Sequence, residues 1–113
     1  MLTLPVKGVE TAAYNSSKAA VLQLTRSLAG EWGSSKDFPL IRVNSVSPGY
    51  IKTRLTEESL KEPGKEVEWA DGNMLNRLSY ADEYRGAVTF LLSDASSFVT
   101  GTDIKVDGGH TAF

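Results

Sequence analysis

Leu40-Ile41-Arg42-Val43-Asn44-Ser45-Val46, bounded by Pro39 and by Ser47-Pro48-Gly49, is a compact run rich in β-branched side chains. Such a run predicts a buried parallel strand that Pro48-Gly49 brings to an end. A second run, Asp103-Ile104-Lys105-Val106-Asp107, alternates apolar and polar residues and predicts a short strand closed by Gly108-Gly109. Two strands joined by a long helical crossover pair in parallel with a right-handed connection, so the expected class is α/β and the segment is the last part of an open sheet. Two strands alone leave the first with a long unsatisfied edge, so further strands, upstream or from a partner, are expected beside it.

On the N-terminal side, Ala12 to about Trp32 repeats Val21, Leu24, Leu28 and Trp32 at three- and four-residue steps, which predicts an amphipathic helix stopped near Gly30 and Gly33. Residues 1–11, with Pro5 and Gly8, show no period and are expected to be an irregular lead-in. On the C-terminal side, residues 50–78 mix charges with Pro63-Gly64, Trp69 and Asp71-Gly72, and predict one or two short helices in a loosely organised lobe. Ser79 followed by Asp82 predicts a capping box that opens a helix whose apolar stripe is Tyr84, Ala87, Val88, Leu91 and Leu92. Residues 1–113 are expected to form a single unit, with 50–78 as a lobe within it.

The bulk properties exclude several classes. A chain of 113 residues, 41% hydrophobic and 23% charged, can hold one core at most. A formal net charge of -2 offers no basic surplus for phosphates or anionic lipid, so neither nucleic acid nor membrane is an expected partner. A small molecule or another protein remains. The chain has no cysteine, which excludes disulfides, thiolate metal sites and cysteine nucleophiles; no metal site is expected. Met1-Leu2-Thr3-Leu4-Pro5-Val6 lacks the basic start and length of a signal peptide, and no stretch approaches the roughly 20 apolar residues of a membrane span, so a cytoplasmic location is expected.

Tyr14 and Lys18 stand four apart near the start of the first predicted helix, which puts both side chains on one face with Cβ atoms roughly 6 Å apart. A phenol titrates near pH 10, and a neighbouring ammonium favours its ionised form, so the pair is expected to work as a proton donor or acceptor for a carbonyl oxygen. Asn15, Ser16, Ser17, Ala19 and Ala20 are small enough to let a ligand or helix approach. The same spacing also arises by chance on an amphipathic helix with a solvated lysine.

Three blocks narrow that choice. Ala13-Tyr14-Asn15-Ser16-Ser17-Lys18-Ala19-Ala20 with Leu24-Thr25-Arg26-Ser27-Leu28-Ala29, then Arg42-Val43-Asn44-Ser45-Val46-Ser47-Pro48-Gly49, then Ser93-Asp94-Ala95-Ser96-Ser97 with Thr100-Gly101 and Val106-Asp107-Gly108-Gly109, together resemble the short-chain dehydrogenase/reductase family in order and spacing. The resemblance runs from about Ala12 to Gly109. It implies a partial Rossmann-like doubly wound parallel sheet, the C-terminal half only, and an NAD(P)-dependent oxidoreductase that moves a hydride between nicotinamide and an alcohol or carbonyl substrate. It implies that Tyr14 is the acid/base and that Lys18 holds the nicotinamide ribose while lowering the tyrosine's pKa. Pro48-Gly49-Tyr50-Ile51-Lys52-Thr53 matches the loop where the backbone at Ile51 meets the carboxamide and the Thr53 hydroxyl lies near the carboxamide or pyrophosphate. The cofactor implied is NAD or NADP, with NADP preferred. Leu91-Leu92-Ser93-Asp94-Ala95-Ser96-Ser97 and Asp107-Gly108-Gly109-His110-Thr111 look most like fungal polyol and ketose reductases, and the full-length form is expected to be a homo-oligomer.

The chain departs from the family pattern at its start. Gly8 is the sole glycine before Gly30, so the glycine-rich turn that binds pyrophosphate at a helix N-terminus has no counterpart. The serine that orients the substrate carbonyl falls at or before Met1; Thr3 and Thr11 do not occupy its position. A noncatalytic fragment that assembles with full-length subunits is therefore a second expectation, and a small α/β binding domain with an incidental Tyr14/Lys18 pair is a third. Leu55, Trp69 and Met74 could line a substrate pocket, although packing is the better expectation, and Asp107-Gly108-Gly109 is expected to be structural. His110 is assigned no role.

Overall fold

A computed structural model describes residues 11–112; the N-terminal lead-in with Pro5, Gly8 and Thr3 lies outside them. The first helix, α1, spans Ala12–Gly33. Thr11 stands at the N-cap position without a side-chain bond to the helix backbone; its carbonyl accepts the first helical bond from the Asn15 amide at 2.8 Å, and its hydroxyl accepts from the Asn15 side chain at 3.0 Å. Gly30 lies inside the helix, Gly33 is its last residue and Ser34 its C-cap. The inward face differs from the expected stripe. Thr25 and Ala29 are buried with Leu22 and Trp32 half-buried on the same side, whereas Val21 and Leu24 are 51% and 55% exposed. The Thr25 hydroxyl is satisfied inside the helix, donating to the Val21 carbonyl at 2.9 Å, so a polar residue can occupy the buried face at little cost.

The two long-range strands pair in parallel as expected. β1 (Ser45–Pro48) runs beside β4 (Asp103–Val106) with Ser45 opposite Asp103 and Pro48 opposite Val106. β1 is shorter than the sequence run. Residues 40–44 lie outside the ladder, because the polar side chains of the run bond across to the loop before β4 instead. Arg42 donates to the Leu91 and Val99 carbonyls at 2.9 and 3.1 Å, and Asn44 joins the Val99 carbonyl and the Thr102 amide at 2.9 and 3.1 Å. β4 likewise stops at Val106 rather than Asp107. The Asp107 carboxylate leaves the strand to accept from the Gly109 amide, the Thr111 amide and the Thr111 hydroxyl, at 3.0, 3.1 and 2.6 Å. Gly108 and Gly109 at φ +65° and +83° make the turn that allows this.

Residues 50–78 are more ordered than expected. α2 (Glu57–Leu60) and α3 (Lys65–Asp71) supply the two short helices. A second parallel pair, β2 (Ile51–Lys52) with β3 (Ser79–Tyr80), ties the segment's two ends together. Buried Asn73 holds the return path: its amide donates to the Arg77 carbonyl at 2.9 Å and its oxygen accepts from the Leu75 amide at 3.0 Å.

After β3 comes a 3-10 turn, Ala81–Tyr84, and then α4, Arg85–Leu92. The capping contact sits one residue later than Ser79/Asp82. The Glu83 carboxylate accepts from the Tyr80 amide at 2.8 Å, which frees the Ser79 side chain for other work. Arg42 closes the other end of α4, placing a cation at the C-terminal carbonyls where the helix dipole favours one. Ser96 is fully buried, and its hydroxyl lies 3.0 Å from both the Leu91 and the Ser93 carbonyls, which share its one proton. No helix among the described residues is long and apolar enough to cross a membrane.

Candidate active site

Tyr14 and Lys18 lie on one face of α1, as their spacing predicts. The Lys18 Nζ is 5.6 Å from the centroid of the Tyr14 ring. Tyr14 is 38% exposed, so the pair is accessible. The expected direction of the tyrosine's acidity is not met: burial pushes the Tyr14 phenol above its ordinary value of 10.0. Desolvation penalises the charged phenolate and so favours the neutral phenol.

The second part of the candidate site is the loop after β1. Gly49 is required by close approach: a Cβ there would meet the Asp107 Cα at 2.9 Å, a backbone atom that cannot give way. The Gly49 amide continues the pairing by donating to the Val106 carbonyl at 3.1 Å. Past Gly49, Tyr50 is held on its ring and on its backbone. Its ring stacks on Trp69 with centroids 4.5 Å apart and 8° between planes, and His110 meets it edge-on at 5.6 Å. Trp69 thus packs, as expected. His110 also packs, with its Nδ1 against the Gly72 carbonyl. Leu55 is 87% exposed, and Met74 lies against Gly109.

Ile51 and Thr53 take defined positions. In the β2–β3 ladder the Ser79 amide donates to the Tyr50 carbonyl at 3.0 Å, so Ile51's own N–H and C=O face away from β3. The Ile51 carbonyl accepts from the Thr56 hydroxyl at 2.7 Å. Thr56 also accepts from the Thr53 amide at 2.9 Å and sits 3.3 Å from the Thr53 hydroxyl, so one side chain shapes the whole turn. Lys52 is committed elsewhere: it pairs with Glu66, which raises its pKa, and its Nζ lies 5.8 Å from the Tyr80 ring centroid.

A small cavity of about 80 Å³ lies beyond the C-terminal ends of β1 and β4, among Gly49, Tyr50, Asn73, Ser79, Tyr84 and Asp107. Asp107 there is held below its usual range: burial raises it, but the Thr111 hydroxyl and the Gly109 and Thr111 amides outweigh that. This is where open parallel sheets bind their ligands. Neither Tyr14 nor Lys18 lines it. Thr56, Ser79 and Tyr84 carry no local sequence signal for their roles; the one hint is Thr56 three residues after Thr53.

A parallel β1–β4 pair whose crossover carries helices, with a backbone-lined cavity beyond its C-terminal end, makes this a Rossmann-like α/β protein. The comparisons with known proteins carry this further. A family profile described as enoyl-(acyl carrier protein) reductase matches residues 5–111, and the chain belongs to the short-chain dehydrogenase/reductase family. It is similar to a short chain dehydrogenases/reductase notP' of Aspergillus versicolor, 64% identical over 95% of this chain and 37% of the relative. It is also similar to sorbose reductase of Schizosaccharomyces pombe, at 47% identity over 88% of this chain and 36% of that protein. An NADP-dependent mannitol dehydrogenase of Hypocrea jecorina is 46% identical over 90% and 36% respectively. Among solved structures, a 4-hydroxyisoleucine dehydrogenase complexed with NADH superposes with a TM-score of 0.81 at 36% identity, covering 90% of this chain and 40% of that one. The chain spans a little over a third of the length of the curated relatives it matches.

Proposed function

We propose that this chain carries the proton-transfer and nicotinamide-facing part of an NAD(P)-dependent oxidoreductase that interconverts an alcohol and a carbonyl compound. The observation that carries the reading is the Tyr14–Lys18 pair, ring and ammonium 5.6 Å apart on one accessible helix face. Tyr14 is the acid/base and Lys18 the ribose-holding cation beside it; the activating role expected of Lys18 is not supported by the direction of the Tyr14 shift. The residues present fit the nicotinamide end of a dinucleotide at one backbone donor: the Ile51 N–H faces away from β3, while Pro48 and Gly49 bring the chain out of β1 to that position. When bound, the nucleotide supplies or takes the hydride. Tyr14, protonated at neutral pH as a phenol ordinarily is, donates its proton to the carbonyl oxygen in the reducing direction. In the oxidising direction the same hydroxyl must first lose that proton, so turnover rises with pH.

The substrate class follows the relatives named for sorbose and mannitol: a polyol or ketose. NADP is the preferred cofactor on the same ground, and residues 50–78 form the substrate lobe. A second reading, assembly with longer subunits without catalysis by this chain, is favoured by the uncovered Val21 and Leu24 on α1.

The test is a fluorescence titration of purified chain with NADH and NADPH, followed by turnover of a ketose in the Tyr14→Phe and Lys18→Ala variants. Binding, with turnover falling roughly 10²–10⁴-fold in Tyr14→Phe, is the expected result. No binding of either nucleotide at millimolar concentration overturns the reading for this chain.

A further inference from the structure

We infer that Ser79, backed by the Tyr84 hydroxyl, is a positioning residue for the nicotinamide carboxamide, because it fixes the Tyr50–Ile51 peptide and thereby aims the Ile51 N–H. The inference rests on the proposed oxidoreductase reading and deepens it. Its starting point is a side chain that sequence pattern casts as a helix cap but whose hydroxyl points elsewhere. Ser79 donates its hydroxyl proton to the Tyr50 carbonyl at 2.9 Å and its backbone amide to the same oxygen at 3.0 Å. A serine hydroxyl has one proton to give, so its 2.6 Å contact with the Tyr84 phenol has the phenol as donor. The hydrogen bonds therefore run one way, from Tyr84 to Ser79 to Tyr50, and each polarises the next.

Both lone pairs of the Tyr50 carbonyl are thus occupied from the β3 side. A trans peptide is planar, with its C=O and N–H pointing in opposite directions, and the described chain has no cis bond. Pinning the Tyr50 carbonyl toward β3 consequently points the Ile51 N–H directly away from β3, toward the side where the nicotinamide is expected. The stacked Trp69 and edge-on His110 keep the Tyr50 ring from swinging and carrying the peptide with it. With one of the two bonds to the carbonyl gone, the peptide plane can rock about its flanking φ and ψ angles, and the donor loses its aim.

The test compares Ser79→Ala with Ser79→Thr, which keeps the hydroxyl on a residue suited to a strand, and with Tyr84→Phe. Three quantities are read in the full chain: amide hydrogen exchange at Ile51, the dissociation constant of NADH, and that of thio-NADH, whose carboxamide sulfur accepts a hydrogen bond poorly. Ser79→Ala is expected to speed Ile51 exchange and to weaken NADH about fivefold, the size of one neutral hydrogen bond. Thio-NADH should be weakened less, Tyr84→Phe should show a smaller change in the same direction, and Ser79→Thr should restore both measures. A role confined to stability would weaken the two nucleotides equally, and that result overturns the inference. Unchanged Ile51 exchange in Ser79→Ala overturns it too, whether or not any nucleotide binds. If the wild-type chain binds neither NADH nor NADPH, the oxidoreductase reading falls, and the carboxamide role falls with it even where exchange responds; where NADPH alone binds, NADPH and thio-NADPH take the places of NADH and thio-NADH in the comparison.

Discussion

Glu83 shows how much a single exposed carboxylate can be asked to hold in this chain. It accepts from the Tyr80 amide, and from the Arg77 guanidinium in a two-pronged ion pair with one contact at 2.9 Å. The Arg77 hydrogen bonds, joined by the Tyr80 amide, lower its pKa from 4.5 to about 2. A carboxylate whose folded pKa lies below its unfolded one stabilises the fold above pH 4.5 and loses that contribution as the pH falls from 4.5 toward 2. Thermal midpoints of wild type and Glu83→Gln should therefore differ at pH 7 and converge as the pH approaches 2. A difference that stays constant across that range would show that the charge contributes nothing. At this scale the residues visible in sequence were those whose partners are near in the chain. Tyr14 and Lys18, four apart, could be paired on a helix before any coordinates. Ser79 could not be assigned, because its partner Tyr50 is 29 residues away and no spacing rule reaches across a lobe.

At the scale of the element, the run from Leu40 to Val46 shows why a correct fold class can go with wrong boundaries. β-branched composition reports how well a residue suits a pleated, half-buried surface, so it flagged the strand and its parallel partner, but it extended the strand over Arg42 and Asn44. Those two side chains make loop and helix-end contacts that propensity does not encode. The Arg42 guanidinium reaches the Leu91 and Ser93 carbonyls at the end of α4 and the Val99 carbonyl of the loop that follows, fastening α4 to the approach of β1. Arg42→Ala removes the charged donor to these part-buried carbonyls, leaving the neutral donors Asn44 on Val99 and Ser96 on Leu91 and Ser93. It should cost about 2 kcal/mol, the scale of a charge-assisted hydrogen bond, as read from urea unfolding. Arg42→Lys should recover little, since one ammonium on a flexible stem cannot reproduce the planar fork. Full recovery by lysine would mean that charge alone, and not the geometry of the fork, secures the joint. The lobe has the two short helices its sequence predicts, α2 and α3, but the strands that tie its ends leave no sequence signal: β2 and β3 are two residues each, too short for a period of two to be visible.

For the whole molecule the governing fact is that the described chain covers little of its own apolar surface. Ala29 and Leu78 are the buried hydrophobic side chains among the described residues, while Val21, Leu24, Leu92 and Phe98 stand in solvent. The shape agrees. The Cα radius of gyration is 16.3 Å with extents of 55 × 29 × 28 Å, against about 13 Å expected for a compact chain of this length. A helix of 22 residues is about 33 Å long, and α1 presents one apolar face to the fold and another, carrying Val21 and Leu24, to its surroundings. The β1–β4 sheet, two strands wide among the described residues, points the same way, since parallel sheets are stable when both faces are covered. An uncovered stripe of this kind drives association, either with further copies of the chain or with longer relatives. The purified chain at micromolar concentration should therefore sediment as a species heavier than its 12.2 kDa. The double change Val21→Lys with Leu24→Lys tests the surface without unfolding the helix, because both positions are exposed and lysine is a good helix former. Removing two apolar side chains from an interface should weaken self-association by at least tenfold, since burying each contributes about 1.5 kcal/mol or more and 1.4 kcal/mol is a factor of ten. A wild-type chain that sediments as a monomer, or a variant that associates as strongly as wild type, would show that this face of α1 is solvated in the working protein and that its apolar residues have no partner to meet.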